Sequence, residues 1–146
     1  MLRRLDEHDR KFNDILAEIR GTRSYLERFS LTLEEEAREV VAARLRGRGL
    51  DVELRGLVFP ELELDIYGVV GDVCVVGEAS VRVGVGLVRS VDEKVAELGR
   101  RYPGLLRGRV VKVVYTMWAA EDAVREAEER NIWLVKATEE LTPLKI

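Results

Sequence analysis

Two strand-like runs, Leu62–Val70 and Val73–Val83, are separated only by Gly71 and Asp72. Both runs are rich in Val and Ile, whose β-branched side chains favour strands. A two-residue connection that contains glycine is typical of a tight antiparallel hairpin, because glycine adopts a positive φ without strain. The sequence therefore predicts a long β-hairpin at the centre of the fold.

This turn also sets the register of the hairpin. The predicted facing pairs are Tyr67 with Val76, Asp65 with Glu78, and Glu63 with Ser80. Since side chains alternate between the two faces of a strand, one face is predicted to carry Glu63, Asp65, Glu78, Ser80 and Arg82. Two carboxylates directly opposite each other repel and destabilise a sheet. A bound Mg²⁺ or Mn²⁺ ion, an arginine over the pair or exposure to water would each relieve this repulsion, and the residues alone leave the three alternatives open.

The elements around the hairpin predict a mixed α/β sheet with helices on its faces. Thr32 has the side chain of a helix N-cap, and Glu34, Glu35 and Glu36 follow it, which predicts a helix over 33–46. A strand is predicted over 51–59 before the hairpin. After the hairpin the pattern predicts, in order, a helix over 87–101, a strand over 109–117, a helix over 121–130 and a short strand over 132–137.

Residues 1–29 have a different pattern from the rest of the chain. Apolar residues recur at every seventh position in one series, and a second series is half apolar; the two series are Leu5, Phe12, Ile19, Leu26 and His8, Ile15, Thr22, Phe29. This narrow seam predicts an amphipathic, coiled-coil-like helix over 1–29 ahead of an α/β domain over 30–146. We expect the helix to form a homodimer.

Composition limits the classes of function. Charged residues make up 35% of the chain and Gln is absent, a pattern typical of thermophilic proteins. The net charge of −3 argues against a protein that coats nucleic acid by bulk attraction. The only histidine, His8, lies far from the acidic face, which disfavours histidine-based catalysis and zinc binding. Cys74 lies in an apolar run and is expected to be buried, and the lack of a long apolar segment favours a cytoplasmic protein.

The hairpin resembles the two-strand core of the PD-(D/E)XK nuclease superfamily. The residues that carry this resemblance are Glu-Leu-Asp-Ile-Tyr-Gly at 63–68 and Val-Val-Gly-Glu-Ala-Ser at 75–80. They are most similar to the archaeal Holliday junction resolvase branch, in which an Asp is followed across a short hairpin by Glu-X-Lys. The resemblance covers roughly residues 31–118 and implies a restriction-endonuclease-like αβββαβ core.

The resemblance also implies a metal site and an activity. Asp65 and Glu78 match the two metal-binding acids of the family, and Glu35 or Glu36 matches the additional acid on the preceding helix. Glu63 lies on the same predicted face as the two strand acids. By resemblance the domain is expected to hydrolyse phosphodiester bonds of DNA with Mg²⁺ or Mn²⁺, with a branch or an end of the DNA as substrate.

The chain departs from the family at the position of the catalytic lysine, which is Ser80. A serine hydroxyl has no charge with which to polarise an attacking water. Arg82, further along the strand, or Lys94, on the following helix, are the two candidates to replace that lysine. Alternatively, both cations neutralise the acids of an inactive domain that binds nucleic acid or protein as a dimeric scaffold. The sequence leaves both alternatives open.

Two further groups of residues suggest contacts with nucleic acid. Basic residues at the ends of the flanking helices are expected to form either phosphate-contacting rims or solvated helix ends; they are Arg44, Arg46, Arg48, Arg100, Arg101, Arg107, Arg109 and Lys112. Trp118 and Trp133 at strand ends are expected to pack in the core or at its edge, with base stacking as the alternative role.

Overall fold

The computed structural model describes the backbone of residues 23–146 and the side chains of residues 32–146. Most of the predicted helix over 1–29 and its heptad seam therefore lies outside the described residues. Dimerisation through this segment stays a prediction, which light scattering tests directly. No helix among the described residues is long and apolar enough to cross a lipid bilayer.

The described chain contains three α-helices and five strands. The helices are α1 (Arg23–Arg46), α2 (Val85–Arg101) and α3 (Glu121–Glu129). The strands are β1 (Arg55–Phe59), β2 (Leu62–Val70), β3 (Val73–Val83), β4 (Arg109–Ala119) and β5 (Ile132–Val135). A short 3₁₀ turn, Pro103–Leu105, leads from α2 into β4. From α1 onward the predicted order of elements is confirmed, and the bounds of β2 and β3 are those that the sequence predicted.

The five strands form one mixed sheet in the order β1-β2-β3-β4-β5. The first three strands form an antiparallel meander, whereas β3, β4 and β5 are parallel to one another. Parallel neighbours need a crossover, and α2 and α3 supply the two crossovers here. The predicted fold class, an α/β mixed sheet flanked by helices, is confirmed.

Helix α2 covers the centre of one face of the sheet. Its buried residues Val88, Val91 and Leu98 face the sheet, and two apolar clusters form beneath it. One cluster lies towards α3 and includes Val114 and Leu134, and the other lies towards β1 and includes Leu57, Leu64, Tyr67 and Val76. Because α2 is held by both clusters, the side chains along it occupy defined positions over β2 and β3.

The beginning of α1 differs from the prediction. A helix was expected to begin after an N-cap at Thr32, but α1 begins at Arg23 and runs without interruption through residue 32. The segment 23–46 contains neither Gly nor Pro, and its many Leu, Glu, Ala and Arg residues have high helix propensity. A serine or threonine is a helix start only where the preceding residues leave the helix, and these residues do not.

The first strand is shorter than predicted. It begins at Arg55 instead of residue 51, because its ladder with β2 starts at the pair Arg55 and Tyr67. Ahead of that pair, the main chain of Glu53 lies so close to Gly68 that a Cβ on Gly68 would come within 2.5 Å of the Glu53 carbonyl oxygen. Residues 51–54 therefore cross β2 closely without joining the sheet.

Candidate functional site

The hairpin has the predicted register near its turn and opens at its far end. Gly71 has φ of 58°, and Val70 pairs with Val73 as expected for the tight turn. The pairing continues in the predicted register as far as Ile66 with Gly77. It stops one pair before Asp65 and Glu78. The two acids are therefore close together at the point where β2 and β3 separate.

A β-bulge on the other side of β2 lies at the same position. Arg55 pairs with Tyr67 and Leu57 pairs with Leu64, so Gly56 alone lies opposite both Asp65 and Ile66. A bulge re-aims the side chains of its extra residue and interrupts the ladder. The carbonyl oxygen of Asp65 accepts a hydrogen bond of 2.8 Å from Nη1 of Arg38, on α1.

The carboxylate of Asp65 fills the gap between the two strands. Its Oδ2 accepts a hydrogen bond of 2.8 Å from the backbone N–H of Ala79, in place of a main-chain partner. The same carboxyl group is in hydrogen-bonding contact with the carboxyls of Glu78 and of Glu34, on α1. Three acids from three different elements therefore meet at the opening of the hairpin.

Lys94 on α2 reaches the same place from the other side. Its Nζ donates hydrogen bonds to Oε1 of Glu78 and, at 3.2 Å, to the backbone carbonyl of Glu63. The Glu78 side chain is only 9% exposed, whereas that of Lys94 is 38% exposed. The side chain of Lys94 therefore contacts a buried carboxyl group while remaining accessible to solvent. A ligand that enters from solvent can reach it there.

The three acids of this cluster, Glu34, Asp65 and Glu78, shift one another's pKa values. Burial, and then the hydrogen bond and charge of Asp65, raise the pKa of Glu78 to about 8 in spite of Lys94. The hydrogen bond with Asp65 is also the main reason why the pKa of Glu34 rises to about 7. Burial acts to raise the pKa of Asp65 as well, but the bonds from Glu34, Glu78 and the Ala79 N–H outweigh it and lower that pKa. Near neutral pH the cluster therefore retains protons that a cation could displace.

The structure brings Glu34, rather than Glu35 or Glu36, to Asp65. Glu35 is exposed, and Glu36 accepts a hydrogen bond of 2.8 Å from the Tyr115 hydroxyl. The sequence contained a signal for Glu34, because it lies one helical turn before Arg38 and on the same side of α1 as the buried Ala37. That signal was missed because the additional helical acid was assigned by resemblance to Glu35 or Glu36, and Glu34 was interpreted only as part of the helix start.

The remaining predicted site residues lie further from the acids or turn away from them. The Ser80 hydroxyl donates a hydrogen bond of 2.8 Å to the carbonyl of Arg82, and the Arg82 guanidinium lies 5.6 Å from the centre of the Trp118 ring. Glu63 contributes its carbonyl oxygen to Lys94, and its side chain is exposed. Of the two candidates for the missing lysine, Lys94 is the one in contact with Glu78.

The donor set suits a hard divalent cation. Mg²⁺ and Mn²⁺ prefer oxygen ligands, and Mg²⁺ is commonly held by one or two carboxylates with waters completing its shell. Asp65 and Glu78 are such a pair: burial and the neighbouring Asp65 raise the pKa of Glu78, and hydrogen bonds lower the pKa of Asp65. Among residues 32–146, however, no three Asp, Glu, His or Cys side chains are arranged as a ready-made metal site. The fit is therefore to a cation held by two carboxylates.

Most of the basic residues considered as phosphate-contacting rims are paired with acids of the same chain. The pairs are Arg44 and Arg48 with Glu140, Arg100 and Arg101 with Glu97, Arg109 with Asp72, and Lys112 with Asp92. Trp133 is buried and its Nε1 donates to Glu140, which confirms its expected packing role. Cys74 is buried as expected.

Comparison with known proteins agrees with this fold. The family described as "Domain of unknown function (DUF8196)" matches residues 35–144. No curated protein matches the chain. The crystal structure of a repair endonuclease from Pyrococcus abyssi is similar with a TM-score of 0.50 and 20% identity, over 69% of this chain and 46% of that one. This similarity shows an endonuclease-like fold.

Two structures of EndoMS are also similar, at lower TM-scores. The apo form has a TM-score of 0.43 and 19% identity, over 74% of this chain and 47% of that chain. The EndoMS-dsDNA2 complex has a TM-score of 0.45 and 20% identity, over 76% and 46%. The chain thus spans about half the length of the protein in each of these three structures.

Proposed function

Since the chain belongs to the DUF8196 family and has an endonuclease-like fold, we propose that it is a metal-dependent nuclease of the PD-(D/E)XK type. Its reaction is the hydrolysis of phosphodiester bonds in DNA, and its relationship is to the archaeal Holliday junction resolvase branch. Asp65 and Glu78 hold Mg²⁺ or Mn²⁺, and Glu34 assists them from α1. Branched DNA or DNA ends are the substrate class that this relationship implies.

The observation that carries the proposal is the contact of Lys94 with Glu78. The PD-(D/E)XK superfamily has its lysine two residues after the glutamate, where this chain has Ser80. Here a lysine from α2 supplies a positive charge at the buried acid pair. We infer that the ammonium group of Lys94, on α2, takes the place of the motif lysine that this chain lacks at Ser80.

The chemistry follows from these groups. A divalent cation held by Asp65 and Glu78 would supply Lewis-acid chemistry at the phosphate. The half-exposed Nζ of Lys94 orients the attacking water and stabilises the negative charge that grows on the phosphate oxygens. The water oxygen forms a new P–O bond, the ester P–O bond breaks, and the departing alcohol oxygen takes up a proton. Ser80 and Arg82 have no required part in this step.

The test is cleavage of labelled single-stranded, duplex and four-way-junction DNA with Mg²⁺ or Mn²⁺, at several temperatures up to those suited to a thermophilic protein. Asp65→Asn and Glu78→Gln keep the size of each side chain and remove a ligand charge, so we expect each to reduce cleavage by about a hundredfold or more. Asp92→Asn is the matched control, because Asp92 also binds a lysine but lies outside the acid cluster. Equal cleavage by all variants would contradict the proposal.

The alternative is a nuclease-like domain without activity that binds nucleic acid or protein. Two observations favour it: Ser80 occupies the lysine position, and several basic residues at the helix ends are paired with acids of the same chain. The same DNA substrates distinguish the two functions. Absence of cutting together with salt-dependent binding would indicate a DNA-binding scaffold, and absence of both would indicate a protein-binding one.

A further inference from the structure

Arg38 contacts the acid cluster through the main chain. Its Nη1 donates a hydrogen bond of 2.8 Å to the Asp65 carbonyl oxygen, at the position where the bulge opposite Gly56 interrupts the ladder. A buried carbonyl that loses its ladder partner needs another donor, or its desolvation is uncompensated. Arg38 is the donor that this bulge uses.

Gly56 lies beside this arginine, at distances where a Cβ would still fit as an ordinary van der Waals contact. A Cβ added to Gly56 would lie 3.6 Å from Nη1 of Arg38 and 3.8 Å from the Asp65 carbonyl oxygen. A longer side chain pointing the same way would compete with the guanidinium for that space. Gly56 is the single β1 residue opposite the bulge. Because it has no side chain, the guanidinium of Arg38 has room beside the Asp65 carbonyl.

The consequence for the site follows from the orientation of Asp65. With its carbonyl oxygen bound to α1, its carboxylate lies between the strands and accepts the Ala79 N–H at 2.8 Å. The charge of Arg38 also acts on Glu34, one turn earlier on the same helix, and lowers the pKa of that group against the other influences that raise it. One arginine thus holds the strand acid in place and partly offsets the charge of the helix acid.

We propose that Arg38 is the positioning residue of this site: it locks the bulge in β2 and so aims the Asp65 carboxylate into the gap beside Glu78. It acts through Asp65 and does not itself contact substrate. Its importance for catalysis rests on the nuclease function proposed above, but the positioning itself does not. Both can therefore be tested separately.

The positioning is tested by hydrogen exchange of the Ala79 amide in Arg38→Met, measured by NMR relative to the amides of the β4 core. We expect the Ala79 amide to exchange at least roughly tenfold faster while the β4 reference amides keep their relative rates, since only the partner of Ala79 is displaced. Arg38→Lys keeps the charge and one hydrogen-bond donor, so the Ala79 amide should be protected to an intermediate degree in this variant. It also tests the proposal if Arg38→Met folds poorly.

Arg44→Met is the matched control. Arg44 lies on the same helix and also donates to backbone carbonyls, those of Lys136 and Ala137, at 3.3 Å each. Its loss should destabilise the domain without changing the relative exchange of Ala79. Unchanged Ala79 exchange in both Arg38 variants, or equal loss of protection in Arg44→Met, would overturn the proposal.

A second readout separates this proposal from the nuclease function. Supporting groups of this kind typically change metal affinity by about 10- to 100-fold, so Arg38→Met should weaken Mn²⁺ binding, followed by electron paramagnetic resonance, by that factor. Arg44→Met should bind Mn²⁺ as the wild type does. Loss of Ala79 protection in a protein that neither binds Mn²⁺ nor cuts DNA would support the positioning role and refute the nuclease.

Discussion

Two lysines in this domain bind carboxylates between α2 and the sheet, and the pKa values of the two carboxyl groups shift in opposite directions. Lys112 on β4 donates to Asp92 at 2.6 Å, and Arg130 donates to the other oxygen of Asp92 at 2.9 Å. Burial acts to raise the pKa of Asp92, but these two cations outweigh it and lower that pKa. At the other pair, the pKa of Glu78 rises to about 8 although Lys94 is in contact with it.

The difference lies first in burial, since the side chain of Glu78 is 9% exposed and that of Asp92 is 23% exposed, and second in the balance of charge. Two cations surround one acid at Asp92, whereas one lysine faces three acids at Glu78. A network that only holds the fold together has no reason to keep uncompensated charge, because such charge costs stability. The imbalance at Glu78 is therefore typical of a site that awaits a cation, and the balance at Asp92 is typical of a structural ion pair.

The largest expected difference between the two lysines is in catalysis. Lys94→Met should lower kcat for DNA cleavage by about a hundredfold with little change in KM, because its charge acts on the transition state. Lys112→Met removes an equivalent ion pair and should leave kcat unchanged. Single-turnover cleavage of a labelled substrate measures both. Equal losses of kcat would mean that Lys94 acts only through stability.

A smaller effect is expected on stability, with opposite signs for the two acids. The folded state holds the Glu78 proton up to about pH 8 while an unfolded glutamate releases it near its ordinary pKa of 4.5, so this group's contribution to stability falls as pH rises between those values. Glu78→Gln removes the penalty and should raise the unfolding free energy at alkaline pH by roughly 1–3 kcal/mol. Asp92, with its lowered pKa, contributes stability that is lost only on acidification.

The matched substitution Asp92→Asn should therefore lower the unfolding free energy at neutral pH, by about 1 kcal/mol since the group is partly exposed. Urea titrations of both variants across the pH range measure the two effects. A loss of stability in Glu78→Gln at alkaline pH would show that Glu78 is charged and well paired in the folded state. That result would contradict the difference between Glu78 and Asp92.

An effect of similar size is expected from stabilisation by the metal. A cation that binds only the folded state at ten times its Kd adds about 1.4 kcal/mol to stability. Because it must displace the proton of Glu78, Mg²⁺ or Mn²⁺ should raise Tm more above the pKa of Glu78 than below it. Differential scanning fluorimetry at the two pH values tests this. The same rise in Tm at both values, or in Asp65→Asn, would place the bound metal elsewhere.

Much of the sheet was predictable from local patterns. The Gly71–Asp72 turn and the runs rich in β-branched residues on either side of it predicted the bounds of β2 and β3, and their register near the turn is confirmed. The start of α1 was predicted wrongly, because an N-cap residue begins a helix only where the residues before it are not helical. The opening of the hairpin beyond Ile66 was not predictable either, since it depends on a bulge against β1 and on Arg38 from α1.

The sequence by itself determined that a hairpin would carry Asp65 and Glu78 near its open end, because a two-residue turn and a period of two are local properties of the chain. Only the tertiary structure decided which groups complete the cluster. Glu34 and Lys94 reach the two acids from separate helices, and the docking of a helix depends on the apolar clusters beneath it. Packing of the whole sheet, rather than any local pattern, brings Lys94 into contact with Glu78 in a chain that has Ser80 at the motif's lysine position.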